Sequence, residues 1–132
     1  MLFRSALSQA RRNTENIGNI RLLESDLMGD KSLPERFQVI VANLPYIPTG
    51  QIDGLMREVR HEPRLALDGG VDGLEIIRRL ITQSVGRANY LALELGDGQA
   101  AEAKTLCERA GYALIRVLPD FTDRERILVA KH

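Results

Sequence analysis

The chain is short of almost everything that advertises chemistry. It has no Trp, one Cys and two His, and its 18 basic residues are balanced by 18 acidic ones over 132 residues. A lone Cys107 excludes a disulfide framework and a thiolate metal cluster. His61 and His132 lack ligand spacing, so no metal is expected. Without a basic block the electrostatic footprint of a dedicated nucleic-acid binder is missing, and no direct nucleic-acid binding is expected. No apolar run approaches the roughly 20 residues that cross a bilayer. Met1 to Ser5 opens no signal-peptide core. These absences predict a cytoplasmic protein without membrane association. With 44% hydrophobic and 27% charged residues, residues 1–132 read as a single domain able to bury a core.

Periodicity supplies the elements. Ser5 reads as an N-cap, followed by Ala6, Leu7 and Ala10 at helical spacing, with Gly18 as the stop. Ile20 to Glu24 reads as a short strand, and Ser25 to Asp30 as a loop. Phe37 to Ala42 is a continuous apolar run, the pattern of a strand covered on both faces. Asn43 to Gly70 is too long for a simple connection and reads as a functional loop. Leu74, Ile77, Leu80, Ile81 and Val85 form one helical stripe, and Ala100, Ala103, Leu106, Cys107 and Ala110 a second. Strands follow at Tyr90 to Glu94, Tyr112 to Leu118 and Arg126 to Ala130. Alternating strands and helices predict an α/β fold with a mostly parallel sheet, whose ligands bind beyond the carboxyl ends of the strands. Asn43 and Asp26 both lie at such ends.

The most informative segment is Val41-Ala42-Asn43-Leu44-Pro45-Tyr46-Ile47. A buried strand delivers an Asn onto a proline-stiffened turn with an aromatic beside it. A carboxamide held this way can grip a planar amide or amino group while leaving its nitrogen open to an electrophile. Other polar residues read as structural: Asp72 as a helix cap, Glu62 and Pro63 as loop-shaping, and Asp120, Asp123, Arg124 and Arg126 as an ion-pair set. Glu94 is balanced between facing the site and holding the fold, Asp26 between binding and turn formation. Cys107 reads as a small core residue.

An ordered set of matches carries a family resemblance. After Asn43-Leu44-Pro45-Tyr46-Ile47 come Glu58-Val59, Glu62-Pro63, Ala66-Leu67, Gly69-Gly70 and Asp72-Gly73-Leu74, then Leu93-Glu94-Leu95-Gly96 with Gln99. This resembles the protein-(glutamine-N5) methyltransferases that modify peptide-chain release factors, over nearly the whole chain. The resemblance implies a class I, Rossmann-like fold and S-adenosylmethionine as cofactor, with a release factor as protein partner and substrate. It also implies roles. Asn43 would hydrogen-bond the substrate amide, the Leu44 carbonyl would take its second hydrogen, and Tyr46, beyond Pro45, would pack on the amide plane. Asp26, followed by Leu27, matches the position that contacts the adenine amino group, with Asn43 beside the methyl donor.

Two departures qualify the match. Leu44 replaces the usual Pro of that family, and Asn-Leu-Pro-Tyr is also the signature of ribosomal-RNA adenine N6-dimethyltransferases, where the same geometry grips an adenine amine. The Glu62 to Leu74 matches and the neutral charge favour the glutamine enzyme. The second departure is larger. The family's Gly-rich cofactor turn and ribose-binding carboxylate have no counterpart, and alignment from Ala6-Leu7 places that carboxylate at or near Met1. The expectation is an incomplete methyltransferase sheet, the C-terminal part of the catalytic domain, lacking its first two strands and the Gly-rich loop, and mostly parallel with an antiparallel C-terminal strand. Its activity alone would be impaired, and a non-catalytic module requiring a partner chain is the further alternative.

Overall fold

A computed structural model describes residues 2–56 and 59–132. The chain divides into two compact units, Met1–Ser32 and Leu33–His132. In the first, helix α1 (Leu2–Asn13) ends with Arg11 and Arg12 in its last turn, where positive charge offsets the carbonyl end of the helix dipole. The Thr14 hydroxyl then donates to the Ala10 carbonyl at 2.9 Å. Because α1 begins at Leu2, Ser5 lies inside the helix and is not its N-cap.

The strand expected at Ile20 to Glu24 does not form; these residues are irregular. A strand needs a neighbour to take its backbone hydrogen bonds, and none of the described strands pairs with this segment. The segment is tied locally instead: the Arg21 guanidinium donates to the Ser32 carbonyl at 3.1 Å and to its hydroxyl at 2.7 Å.

The second unit is a four-stranded sheet with two helices packed against one face. Its strands are β1 (Phe37–Ala42), β2 (Ala88–Glu94), β3 (Leu114–Pro119) and β4 (Glu125–Lys131), in spatial order β1-β2-β4-β3. β1 and β2 are parallel, with Ile40 opposite Leu91 and Ala42 opposite Leu93. β4 is antiparallel to both β2 and β3. Three strands therefore point one way and β4 runs back between two of them, as the predicted α/β sheet with an antiparallel C-terminal strand requires. The β3–β4 hairpin turns on Asp120, whose carboxylate accepts the Thr122 amide and hydroxyl, each at 2.7 Å, and the Arg124 amide at 3.2 Å.

Helices α3 (Glu75–Ser84) and α4 (Ala100–Arg109) cover the face that carries Leu91, Leu93, Leu128 and Ala130. Ile77, Leu80 and Ile81 come from α3, and Ala103 and Cys107 from α4, all buried. Burial pushes the Cys107 thiol up to about 11, so it stays protonated and packs as an apolar group. Ser84 and Tyr112, both buried, share a 2.7 Å hydrogen bond between their hydroxyls. The opposite face is barer than the apolar run of β1 suggests. Val41 is 77% exposed and Val39 51%, so this strand is covered on one face and not on both. Leu, Ile and Val content alone cannot report which faces find a helix.

Between β1 and α3 the long connection is ordered into two 3₁₀ turns, Thr49–Gly54 and Val59–His61, and a one-turn helix α2 (Arg64–Leu67). No described helix is long and apolar enough to cross a membrane.

Candidate functional site

The carboxyl ends of the parallel pair β1 and β2 open onto the same region, and the Asn43–Tyr46 turn begins there. Asn43 directly follows the last residue of β1. It is exposed, and no described residue hydrogen-bonds its carboxamide. Leu44, Pro45 and Tyr46 are half-buried. The Leu44 carbonyl likewise accepts no backbone hydrogen bond from the described residues. One end of the turn is therefore chemically free.

The other end is heavily tied. The Tyr46 hydroxyl donates to Oε1 of Glu94, the last residue of β2, at 3.1 Å. The Tyr46 carbonyl accepts Gln99 Nε2 at 2.9 Å. The same nitrogen reaches the Gly73 carbonyl at 3.3 Å, while Gln99 Oε1 accepts the Gly96 amide at 2.8 Å. Ile47 then forms a parallel bridge with Asp68: its amide donates to the Leu67 carbonyl at 3.0 Å, and its carbonyl accepts the Gly69 amide at 2.9 Å. The Thr49 hydroxyl at 2.6 Å and the Gly70 amide at 3.1 Å bond Asp68 Oδ1. Chiefly through the Thr49 hydroxyl, these partners hold the Asp68 carboxyl below its usual range. Glycines make this packing possible. Gly69, Gly73 and Gly96 all lie so close to Tyr46 or Gln99 that a Cβ would collide with them.

Tyr46 bears the electrostatic mark of this site. Burial, then its hydrogen bond to Glu94 and the charge of that carboxylate, push the phenol above its ordinary value of about 10. The neutral phenol is thus the favoured form in the folded chain. The stability it contributes is intact below pH ~10 and is lost as pH rises through the folded value. Glu94→Gln removes the charge, so spectrophotometric titration should show one tyrosine ionising at lower pH than in the unaltered chain. An unchanged titration curve would show that Glu94 does not govern the Tyr46 phenol.

Beside Tyr46 lies a cavity of about 330 Å³, bordered by Pro48, Gln51, Asp72, Asp97 and Gln99. Asp72 is not the N-cap expected for α3: that position is Leu74, without a side-chain cap bond. Asp72 instead closes the turn before the helix, its Oδ1 accepting the Leu74 amide at 2.9 Å and its Oδ2 pairing with Arg78 at 2.8 Å. Arg126 pairs with Asp120 at 3.8 Å, whereas the Arg124 guanidinium lies 3.9 Å from Asp97. The predicted ion-pair set therefore extends to the Gly96–Gly98 turn.

Asp26 and Leu27 belong to the first unit. Asp26 is exposed, and its carbonyl accepts the Gly29 amide at 3.0 Å. Leu27 adopts φ +52°, an uncommon left-handed conformation for a bulky residue. Its carbonyl accepts the Ser25 hydroxyl at 3.0 Å. Glu58, one of the residues that carries the family resemblance, lies outside the described residues.

The polar residues that tie the turn were not singled out by spacing. Gln99 and Tyr46 are 53 residues apart, and Glu94 and Tyr46 are 48 apart. The available signal was the Gly96-x-x-Gln99 pattern before a helix whose first residue has no preferred N-cap ahead of it. Among the described residues, no group of three His, Cys, Asp or Glu could hold a metal ion.

Comparison with known proteins gives a consistent picture. No protein-family model matches the chain. Release factor glutamine methyltransferase of Moorella thermoacetica is 40% identical over 134 residues, covering 96% of this chain and 47% of that protein. The protein of the same name from Rhodopirellula baltica is 42% identical over 132 residues, covering 94% and 45%. That from Caulobacter vibrioides is 37% identical over 131 residues. The chain thus spans about half the length of the curated relatives it matches. A solved structure, the hMettl16 catalytic domain in complex with MAT2A 3′UTR hairpin 1, superposes with a TM-score of 0.65. The two are 16% identical, and the match covers 95% of this chain and 51% of that one. At that identity the likeness shows a shared fold, consistent with an incomplete class I methyltransferase sheet.

Proposed function

We propose that this chain, homologous to release factor glutamine methyltransferases along nearly its whole length, supplies the substrate-gripping half of a glutamine N5-methyltransferase site. The observation that carries the reading is the turn after β1: an exposed Asn43 carboxamide with no partner among the described residues, on a segment whose far end is fixed by Gln99, Glu94 and the Ile47–Asp68 bridge. The Asn43 side-chain oxygen accepts one hydrogen of the substrate amide, and the Leu44 carbonyl accepts the other. Tyr46 packs on the amide plane. An amide nitrogen is a weak nucleophile, so what these residues contribute is orientation rather than a strong base.

The implied cofactor, S-adenosylmethionine, supplies an electrophilic methyl group on a sulfonium. The residues present fit it in part. By the family resemblance Asn43 would meet its reactive end, while Asp26 and Leu27, which belong to the first unit, would be the residues for its adenine. A glycine turn to cradle its methionyl chain is not found among the described residues. Gly96, in the one glycine-flanked turn after a strand, is closed off by Gln99 and Tyr46. Calorimetric titration of the chain with S-adenosylmethionine should therefore give a dissociation constant weaker than about 100 μM. Micromolar binding would show that these residues hold the cofactor unaided.

The function itself is tested by transfer of labelled methyl from S-adenosylmethionine to a release factor, with the modified residue located by mass spectrometry. Label on one glutamine, lost when that glutamine is replaced, is the expected result. Label on an adenine of ribosomal RNA instead would favour the other Asn-Leu-Pro-Tyr chemistry and overturn the glutamine assignment.

A further inference from the structure

The geometry points to Gln99 as the positioning residue of this site: its carboxamide fixes the direction in which the Asn43–Tyr46 turn presents Asn43. The inference rests on the substrate-gripping reading given above.

Gln99 occupies the N-cap position of α4, yet its side chain makes no cap hydrogen bond to its own helix. Ser, Thr, Asp and Asn serve that position better, because their short side chains reach back to the first-turn amides. The longer side chain of Gln99 turns away and joins three separate segments. It bonds the Tyr46 carbonyl at 2.9 Å, the Gly73 carbonyl at 3.3 Å and the Gly96 amide at 2.8 Å. The three contacts use both hydrogens of the amide and one of the two lone pairs of its oxygen. Two glycines clear its path, since a Cβ at Gly73 would come within 2.7 Å of Nε2, and one at Gly96 within 2.8 Å of Oε1.

Restraint at Tyr46 reaches Asn43 because little lies between them that can turn. Pro45 has a fixed φ, and Leu44, preceding a proline, is confined to extended conformations. Ala42, on the other side, is locked into the β1–β2 ladder opposite Leu93. With Ala42 and Tyr46 both held, the Asn43 carboxamide and the Leu44 carbonyl keep one direction without a bond to any described residue. The acceptors meant for the substrate stay free, and the cost of orienting them is met by groups elsewhere.

Two variants separate positioning from mere support of the fold. Gln99→Met keeps the length and removes every hydrogen bond; Gln99→Glu keeps the acceptor for Gly96 and turns a carboxylate toward two carbonyls. In the ¹⁵N-labelled chain, both are expected to shift the Asn43 side-chain amide and Leu44 backbone amide resonances. Methyl transfer should fall about 10- to 100-fold. In an Asn43→Ala background Gln99→Met should cost less than about twofold more, because both changes remove the same orientation. Lowered melting temperature with unmoved Asn43 and Leu44 resonances would overturn the proposal, and so would full additivity of the two changes. Failure of both variants to fold would make Gln99 a determinant of the fold and equally overturn it. Should the unaltered chain transfer no methyl to any glutamine at saturating S-adenosylmethionine, the function proposed above fails, while the resonance comparison still decides the role of Gln99.

Discussion

Asn43→Ala is expected to lower methyl transfer to glutamine by about a hundredfold or more, the usual cost of losing one preorganised polar contact to the reacting group. Stability should hardly change. The side chain is exposed and bonded to no described residue, so its removal leaves no buried group unpaired and no cavity. S-adenosylmethionine affinity should change far less than turnover. Asn43→Asp is the sharper variant. It preserves shape and one acceptor oxygen, but it removes the NH2 group that would donate to the substrate carbonyl and sets a negative charge against it. Turnover by Asn43→Asp should fall as far as that by Asn43→Ala. Turnover comparable to the unaltered protein in either variant would remove Asn43 from the site.

Gly73→Ala should damage the fold and the site together. Gly73 is buried at φ +75°, a conformation that strains any residue with a Cβ. Its added methyl would meet the Tyr46 carbonyl oxygen, Gln99 Nε2 at 2.7 Å and Pro48 Cδ at 3.1 Å. Strain and overpacking sum to a loss of about 2–4 kcal/mol, a fall in melting temperature on the order of 10 °C. Gly98→Ala is the control. It shares a positive φ, +77°, but has nothing within 4 Å of the new methyl, so only the backbone strain of about 1–2 kcal/mol remains. Equal melting temperatures for the two variants would show that Gly73 is not wedged against the turn.

The helices α3 and α4 and the strands β2 and β4 were legible because each carries its own periodic stripe and bounding turn residues. Leu74 to Val85 and Ala100 to Ala110 needed no knowledge of the rest of the chain. Ile20 to Glu24 misled for the converse reason. Its apolar character fits a strand, but a strand exists only in company, and five residues cannot report whether a neighbour is there. β1 was placed correctly, and its covering was overstated: an apolar run says that a face can be buried, not that it is. At the site, the position of Asn43 followed from strand length and the proline behind it. The role of Gln99 did not follow, because two of its three partners, Tyr46 and Gly73, lie on segments that only the folded topology brings beside it.

The Ile47–Asp68 bridge closes the intervening segment into an arc whose two feet touch. The entropy of closing such an arc rises only slowly with its length. Once the feet are pinned, a change at the crown has no lever arm on Asn43 or Tyr46. The crown's exposed residues Gly50, Asp53 and Gly54 can therefore be exchanged with little disturbance of the turn, whereas Ile52 is buried and Gln51 borders the cavity beside Tyr46. That makes the crown the part of this protein where new partner preferences can be bred, or grafted, without rebuilding the grip beneath it.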